Sequence, residues 1–464
     1  MISAVQKTTE TSGVAGWLDR LLVPTPRVVT FLLLLTVIVR LGFFVGVAHP
    51  EARAGEFVFQ HDSDESDYHN MARHLAIDGV YKLSEDGPPT AKRPPGMALP
   101  MAALYGVLGP SPWLGFGWVL LCSLLCVPVI GALARECGIP PPGQVLAMLF
   151  MACLPTAIFT TGGLWSEPPS LLFTLLGLYG LRRARRTSDD RFVYLSALAL
   201  GYAYLVRPSV LAVIVLVVII LAVDGLRRRR PLPVVGFAVL VALPIAAWGY
   251  RNQVVFGEFF TGNTESTAAL WGANNPVTAG LALPAQASSG GYDLVAEARS
   301  GAYLGSWVPV SYVDPQAPDG LDELERHHWY RQQVRGFVAE HPVAFARLVA
   351  LKLVRVLTAE PYAPSILGES PGKRRLKRLV TFGERWFLLL LGGWGLWRMV
   401  RRRNPALLEL GIFLAGSAAV VVLAYVNARI LLPVSALLIL PAALGAQHLL
   451  GRLGLLEPHE DPAP

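Results

Sequence analysis

The chain has 464 residues, of which 53% are hydrophobic and 16% charged, with a formal net charge of +7. A soluble chain carries about 25% charged residues, so this composition excludes an ordinary soluble protein. Several apolar runs reach the ~20 residues that cross a bilayer. The positive excess sits in short clusters at run ends (Arg182, Arg183, Arg185, Arg186; Arg227 to Arg230; Arg401 to Arg403), as in cytoplasmic loops and not as in a nucleic-acid binder. The reading is an all-α polytopic membrane protein of roughly ten spanning helices.

Residues 1–27 form a cytoplasmic N-terminus, with Arg20 and Arg27 before the first apolar run. That run, 28–49, is too long for a signal-peptide core and reads as an anchor that exits outward. It contains Arg40, a functional candidate because it lies within a span, unless it snorkels to the interface. The first outer loop, 50–96, holds the acids Asp62, Asp64, Glu65 and Asp67 at the head of a short helix. Tyr68, Met71, Ala72, Leu75 and Ala76 share one face of it, and Gly79 stands where a C-terminal cap belongs. Asp64 fits either an N-cap or a catalytic carboxylate. Glu65 and Asp67 read as a solvated face. The loop ends in Lys92-Arg93-Pro94-Pro95-Gly96, where the proline pair stiffens the chain.

Met97 to Leu108 is too short to span and reads as re-entrant or interfacial. Spans follow at 113–134, 144–160 and 168–181, with Ser166-Glu167 in the outer turn before the last. Phe192 to Val223 is long enough for two short spans that meet at Arg207-Pro208. Span 234–248 leads out to Arg251-Asn252 and closes an N-terminal membrane module, 28–250. Residues 251–378 are polar and read as an extracytoplasmic subdomain, with a helix over 321–340 and a second, 343–357, lying on the membrane surface. Residues 379–451 supply three last spans around 386–397, 407–425 and 430–450, and 452–464 form a cytoplasmic tail.

This topology puts Asp62, Asp64, Arg93, Glu167, Arg207, Arg251, Asn274, Asn275 and Arg429 on one face of the membrane. Arginines at the outer ends of apolar spans are scarce, and an outer-leaflet phosphate supplies a reason, because guanidinium binds phosphate oxygens in pairs and stays charged. A nearby carboxylate suits a general base. Each arginine taken singly also fits snorkelling to headgroups. His327-His328 points its two rings different ways and makes no metal site. No Walker motif is present, which argues against an ATP-driven pump. A transporter or flippase is the alternative reading; it predicts polar sites at the midplane and repeated halves, neither of which is visible.

Five stretches in order resemble a known family: Asp64-x-x-x-Tyr68-x-x-x-Ala72-x-x-Leu75 leading to Arg93-Pro94-Pro95-Gly96; Ser166-Glu167; Arg207-Pro208; Arg251-Asn252 with Phe256-Gly257 and Leu270-Trp271-Gly272-Ala273-Asn274-Asn275-Pro276; and Arg429-x-x-Leu432-Pro433. The chain resembles bacterial C-type (GT-C) glycosyltransferases of the protein O-mannosyltransferase and aminoarabinose transferase branch. The resemblance implies a GT-C fold in the bacterial plasma membrane. It also implies transfer of a monosaccharide from a polyprenyl-phosphate donor to an extracytoplasmic protein, lipid or glycan, with inversion. Asp64 is then the base, with Asp62 the other choice of register, and Glu167 is a second acid orienting acceptor or sugar. Arg93, Arg207, Arg251 and Arg429 become ligands of the departing phosphate, and Asn274, Asn275 and Tyr68 join the donor site. No cofactor is implied, and a divalent cation has no support in the sequence.

Overall fold

Prolines punctuate this chain, and many of its helices begin on one. A proline at the first helical position loses no hydrogen bond, because that N–H has no intrahelical acceptor. The computed structural model describes residues 18, 21–59, 63–229, 231–276, 278–279, 317–358, 371–424, 426 and 429–457. Asp62, one of the acidic candidates, lies outside the described residues.

The helices in chain order are α1 (Pro26–Phe43), α2 (Asp64–Asp78), α3 (Ala98–Leu108), α4 (Pro112–Glu136), α5 (Pro141–Cys153), α6 (Pro155–Thr160), α7 (Glu167–Thr187), α8 (Arg191–Val206), α9 (Leu211–Arg228), α10 (Leu232–Phe256), α11 (Glu265–Ala273), α12 (Glu323–Glu340), α13 (Pro342–Thr358), α14 (Pro371–Arg401), α15 (Leu407–Leu423) and α16 (Leu432–Arg452). Among the described residues there is no named strand; Lys82 and Pro89 form an isolated antiparallel bridge. The protein is an all-α, multi-pass membrane protein. Five segments are long and apolar enough to cross a bilayer: Pro26–Ala48, Pro112–Glu136, Pro208–Arg227, Leu232–Phe256 and Leu432–Arg452. The other expected spans coincide with shorter or arginine-bearing helices, so length and composition do not establish all ten.

One large apolar core joins most of the bundle. α16 is packed between α14 and α5, α7 lies against both α4 and α8, and α10 covers the far side of α8. Almost every side chain of α16 from Leu432 to Gln447 is buried, which makes it the central post. α14 is one continuous helix of 31 residues, about 46 Å at 1.5 Å per residue. The expected span near 386–397 is therefore its second half.

The expected single span over 144–160 is broken. Leu154 is extended (φ −61°, ψ 114°) because it precedes Pro155, which disfavours the helical region for its neighbour. The break strands carbonyls at the end of α5 and amides at the start of α6. Arg40, fully buried in α1, donates from Nη1 to Ala152 O at 2.8 Å and from Nη2 to Met151 O at 3.3 Å. Its Nε donates to Ser123 Oγ at 2.7 Å. On the other side, Thr156 N donates to Glu384 Oε2 of α14 at 2.7 Å. A cation thus closes a helix C-terminus and an anion a helix N-terminus, the signs the backbone dipoles favour. Arg40 neither snorkels nor reaches the polar network described next.

Candidate functional site

Ser63 is the N-cap of α2: its hydroxyl accepts from Ser66 N, and the Ser66 hydroxyl accepts from Ser63 N. Asp64 is therefore the first helical residue and not the cap. Relieved of capping, its carboxylate turns to other partners. Gly79 closes the helix in the left-handed region (φ 70°), and the face carrying Tyr68, Met71 and Ala72 is buried, with α2 against α3.

Five charged side chains from five distant places meet beside this helix start. Arg93 Nη2 donates to Asp64 Oδ1 at 2.7 Å. Arg429, just before α16, bridges the two acids: its Nη2 donates to Asp64 Oδ2 and its Nε to Glu167 Oε1. Arg207, at the break between α8 and α9, donates from Nη1 to Glu167 Oε1 at 2.6 Å and to Ser166 Oγ at 3.0 Å. Glu167 is the first residue of α7 and is buried, and its Oε2 makes no hydrogen bond among the described residues. Asp64 keeps 23% of its side chain exposed, Arg93 18%, Arg429 22% and Arg207 25%, so the cluster opens at one edge.

The network is wider than the sequence indicated. Asp67 is buried and accepts from Arg93 Nε and Nη2, both at 3.1 Å, and pairs with Lys92 Nζ at 3.0 Å. Glu65 is also buried, and its Oε1 accepts Leu164 N at 3.0 Å. A Cβ on Gly163 would sit 1.8 Å from that oxygen, so only glycine lets the 161–166 turn come this close. These two acids are structural members of the site and not a solvated face. One signal was present for Asp67: it lies three residues from Asp64, on the same helical face. Spacing did not show the partners of Glu65, which are Leu164 N, 99 residues away, and His49 Nε2 at 3.4 Å. Trp165 lies under the Arg429 guanidinium, with ring centroid and Cζ 4.7 Å apart. The Tyr68 ring faces the Arg93 guanidinium at 6.0 Å.

Three further candidates lie apart from this cluster. Arg251 Nη1 donates to Thr90 O at 3.0 Å, and its guanidinium lies among the rings of Tyr81, Trp248 and Phe256. Asn274 donates to Leu270 O and Leu423 O and accepts from buried Lys352 Nζ at 2.7 Å, tying α11, α13 and the end of α15 together. Asn275 donates to Trp271 O and Gly272 O, closing the end of α11.

The electrostatics follow from the geometry. Burial works against charge on Asp64, but the guanidiniums of Arg429 and Arg93 hold its carboxyl far below the usual carboxylate range. Burial likewise opposes the charge on Arg93, and Asp64 beside it more than compensates. Burial pushes the Tyr68 phenol up, against the pull of Arg93. Arg93 spends Nε and Nη2 on carboxylates, and Arg207 spends Nη1. Arg93 Nη1 and the other nitrogens of Arg207 make no hydrogen bond within the described residues, so an anion at the open edge meets unspent donors. Among the described residues, no group of three or more His, Cys, Asp or Glu is arranged to hold a metal ion.

A family model described as dolichyl-phosphate-mannose-protein mannosyltransferase matches residues 27–260, half of the chain. That span contains Asp64, Arg93, Glu167 and Arg207 and stops short of Arg429. No curated protein matches the chain. Two solved structures are similar over 91% of this chain and 79% of theirs, at 14% identity. They are ArnT from Cupriavidus metallidurans bound to undecaprenyl phosphate, with a TM-score of 0.40, and the same protein in the apo state, with 0.38.

Proposed function

The chain belongs to the dolichyl-phosphate-mannose-protein mannosyltransferase family, and from that premise we propose that it moves one sugar from a polyprenyl phosphate to a hydroxyl or amine acceptor at the Asp64 cluster. It is a membrane glycosyltransferase. The observation that carries the specific reading is the bridging of Asp64 and Glu167 by Arg429, with Arg93 and Arg207 closing the two ends. Two carboxylates and three guanidiniums at an open edge suit a reaction that releases a phosphate and consumes a proton acceptor.

In the proposed step the acceptor heteroatom attacks the anomeric carbon as the bond from that carbon to the phosphate oxygen breaks. The acceptor proton passes to Asp64. The electron pair leaves with the lipid phosphate, where charge grows in the transition state and preorganised guanidiniums act most strongly. Direct displacement inverts the anomeric centre. An incoming phosphate and Asp64 compete for the same donors on Arg93 and Arg429. As a guanidinium turns to the phosphate, Asp64 loses part of the field that holds it ionised and becomes a stronger base. Donor binding in this way raises the basicity that the step requires.

Glu167 stays with Arg207, and its unbonded Oε2 offers an acceptor to a sugar hydroxyl or to the incoming nucleophile. We assign the cluster to the extracytoplasmic face of a bacterial plasma membrane, on the arginine runs that end α7, α9 and α14 at the opposite side of the bundle.

The test is a reaction of the purified protein in vesicles with a polyprenyl-phosphate monosaccharide labelled in the sugar, across several sugars and acceptors. The expected result is free polyprenyl phosphate in equal amount to glycosylated acceptor. Movement of the lipid across the bilayer with its sugar still attached, and no phosphate released, would overturn the reading and favour a flippase.

A further inference from the structure

The segment that carries Arg93 has no regular secondary structure, yet almost every backbone polar group in it is bonded. Thr90 N donates to Tyr81 O at 2.9 Å, and Thr90 O accepts from Arg251. Ala91 N donates to Glu323 Oε1 at 2.9 Å, and Ala91 O accepts from Thr264 N at 3.1 Å. Lys92 N bonds to Thr90 Oγ1, and Lys92 O accepts from Asn263 Nδ2, both at 3.0 Å. The Tyr81 hydroxyl donates to Arg93 O and Pro94 O. Gly96 N donates to Leu205 O at 2.8 Å, and Gly96 O accepts from Tyr202 at 2.7 Å. A Cβ on Gly96 would lie 2.5 Å from Leu205 C, so the strap rests directly on the end of α8. Buried backbone polar groups need such partners; here the partners come from Tyr81, α8, α10, the 263–264 turn and α12.

Glu323, on α12, makes three contacts, two to the strap and one to the turn beside it. Its Oε2 accepts Thr90 Oγ1 at 2.7 Å, and its Oε1 accepts both Ala91 N at 2.9 Å and Thr264 Oγ1 at 2.6 Å. An acid in the first turn of a helix ordinarily serves the helix itself. In α12 that duty falls to others: Asp322 Oδ1 accepts Glu325 N at 2.8 Å, and Glu325 Oε2 accepts Asp322 N at 2.9 Å. The three bonds of the Glu323 carboxylate all go to distant chain.

We infer that Glu323 is a positioning residue for the transfer reaction, which clamps the 90–93 strap to the 263–264 turn and so fixes the Arg93 guanidinium against Asp64. This rests on the proposed role of Arg93. A carboxylate has the acceptor capacity for an N–H and two hydroxyls at once. Glutamine in its place presents one acceptor oxygen and one NH2 group, so the Thr90 hydroxyl must turn from donor to acceptor and the bonds to Ala91 N and Thr264 lose their charge assistance. A misplacement of about 1 Å in a charged group is enough to cost ~10²-fold in rate.

Two measurements on the full-length protein test it. In the first, hydrogen exchange of the Thr90–Lys92 amides is compared between wild type and Glu323→Gln. The expected result is at least tenfold faster exchange at Ala91 and Lys92, with the α16 amides unchanged. Equal exchange overturns the inference whatever Arg93 does. In the second, kcat and donor KM are measured for Glu323→Gln, Arg93→Lys and the double variant. Glu323→Gln lowers kcat about tenfold, with donor KM within twofold, and the double variant is no slower than Arg93→Lys alone, because both act through one guanidinium. Multiplying effects, or an unchanged kcat in Glu323→Gln, overturn it. An Arg93→Lys variant with wild-type kcat instead strikes the role given to Arg93, and the exchange result still decides whether Glu323 clamps the strap.

Discussion

The bundle carries two arginine–carboxylate clusters, one at each end, and they are built alike but placed differently. At one end are Asp64, Asp67 and Glu167 with Lys92, Arg93, Arg207 and Arg429. At the other are Glu136, Glu409 and Asp224 with Arg182, Arg183, Arg185 and Arg186. Each sets four cations against three acids. Glu136 and Glu409 are fully buried, and both oxygens of Glu136 face arginines, Arg183 at 2.9 Å and Arg186 at 2.6 Å. Arg182 also donates to Glu136 O at the end of α4 and to Pro405 O just before α15. Glu136 and Glu409 lie on helices that pack against α7, and Asp224 lies on α9 itself. In the first cluster the arginines stand on loops and breaks and Asp64 is partly exposed. Neither charge count nor exposure alone separates a structural network from a reactive one, since Arg186 keeps 48% of its side chain exposed; the first cluster differs in that a carboxylate, Asp64, is itself partly exposed between two guanidiniums, whereas Glu136 and Glu409 are wholly buried.

Neutralising one acid in each cluster without changing its shape breaks the comparison most sharply. Asp64→Asn removes the proposed proton acceptor, and a general base contributes about 10²–10⁴-fold. Transfer falls about 10³-fold while yield and thermal unfolding stay near wild type. Glu136→Gln leaves kcat within twofold. A folded Asp64→Asn protein with full activity would put the proton elsewhere.

Arg429→Ala comes next. It strips both Asp64 and Glu167 of their shared partner and removes one donor to the developing phosphate charge. Loss of one such donor costs about 10²-fold in kcat. Arg429→Lys recovers only part of this, because a single ammonium does not reproduce the Nε and Nη2 fork that spans the two acids. Full recovery by lysine would reduce Arg429 to a point charge.

Much of the first cluster was legible in the sequence, and for one reason. Glu167, Arg207 and Arg429 sit where apolar runs end, a costly place for a charge that has no task, and Asp64 and Arg93 stand in the polar loop that the same topology puts on their side. Position against a run does not tell where a side chain turns, however. Arg251 abuts a span just as Arg207 does, yet its guanidinium goes to the carbonyl of Thr90 and three aromatic rings. Asn274 and Asn275 stand beside the motif and spend their amides on helix ends. The break at Pro155 was visible as a proline, but its charged caps come from residues 112 and 228 positions away. Asp64 looked like a cap because capping is read from type and place; Ser63, one residue earlier, takes the role.

At the opposite end, the effect to look for is on stability. Glu409 is fully buried and pairs with Arg182 and Arg185, both at 3.2 Å. Removing one partner of a buried pair leaves the other charge without compensation, at about 3–5 kcal/mol. Glu409→Gln therefore lowers thermal unfolding in detergent clearly, whereas kcat of the folded fraction stays within twofold. A large fall in kcat with unchanged unfolding would mean that this end also serves the reaction.

The smallest effect is the most diagnostic, because it tests the field and not the presence of a group. The folded-state carboxyl of Asp64 lies below its unfolded value, held there by Arg429 and Arg93 against burial. The stabilisation from these pairs is therefore complete above the ordinary carboxylate range and is lost as pH falls through the lower folded value. The same sign governs activity: wherever Asp64 sets the acid limb of kcat/KM, that limb lies below the ordinary range for an aspartate. Arg93→Gln removes one of the two guanidiniums and leaves Arg429. An opposite charge at this distance shifts a carboxylate by about 1–3 units, so the limb moves upward by about one pH unit, and a pH–rate series carried as far below pH 4 as the protein stays folded reads the shift. The matched control is Arg186→Gln, which also removes an arginine facing a buried acid and leaves the profile where it was. A limb that stays fixed in Arg93→Gln would separate Asp64 from the rate-limiting proton transfer, even if Asp64→Asn is inactive.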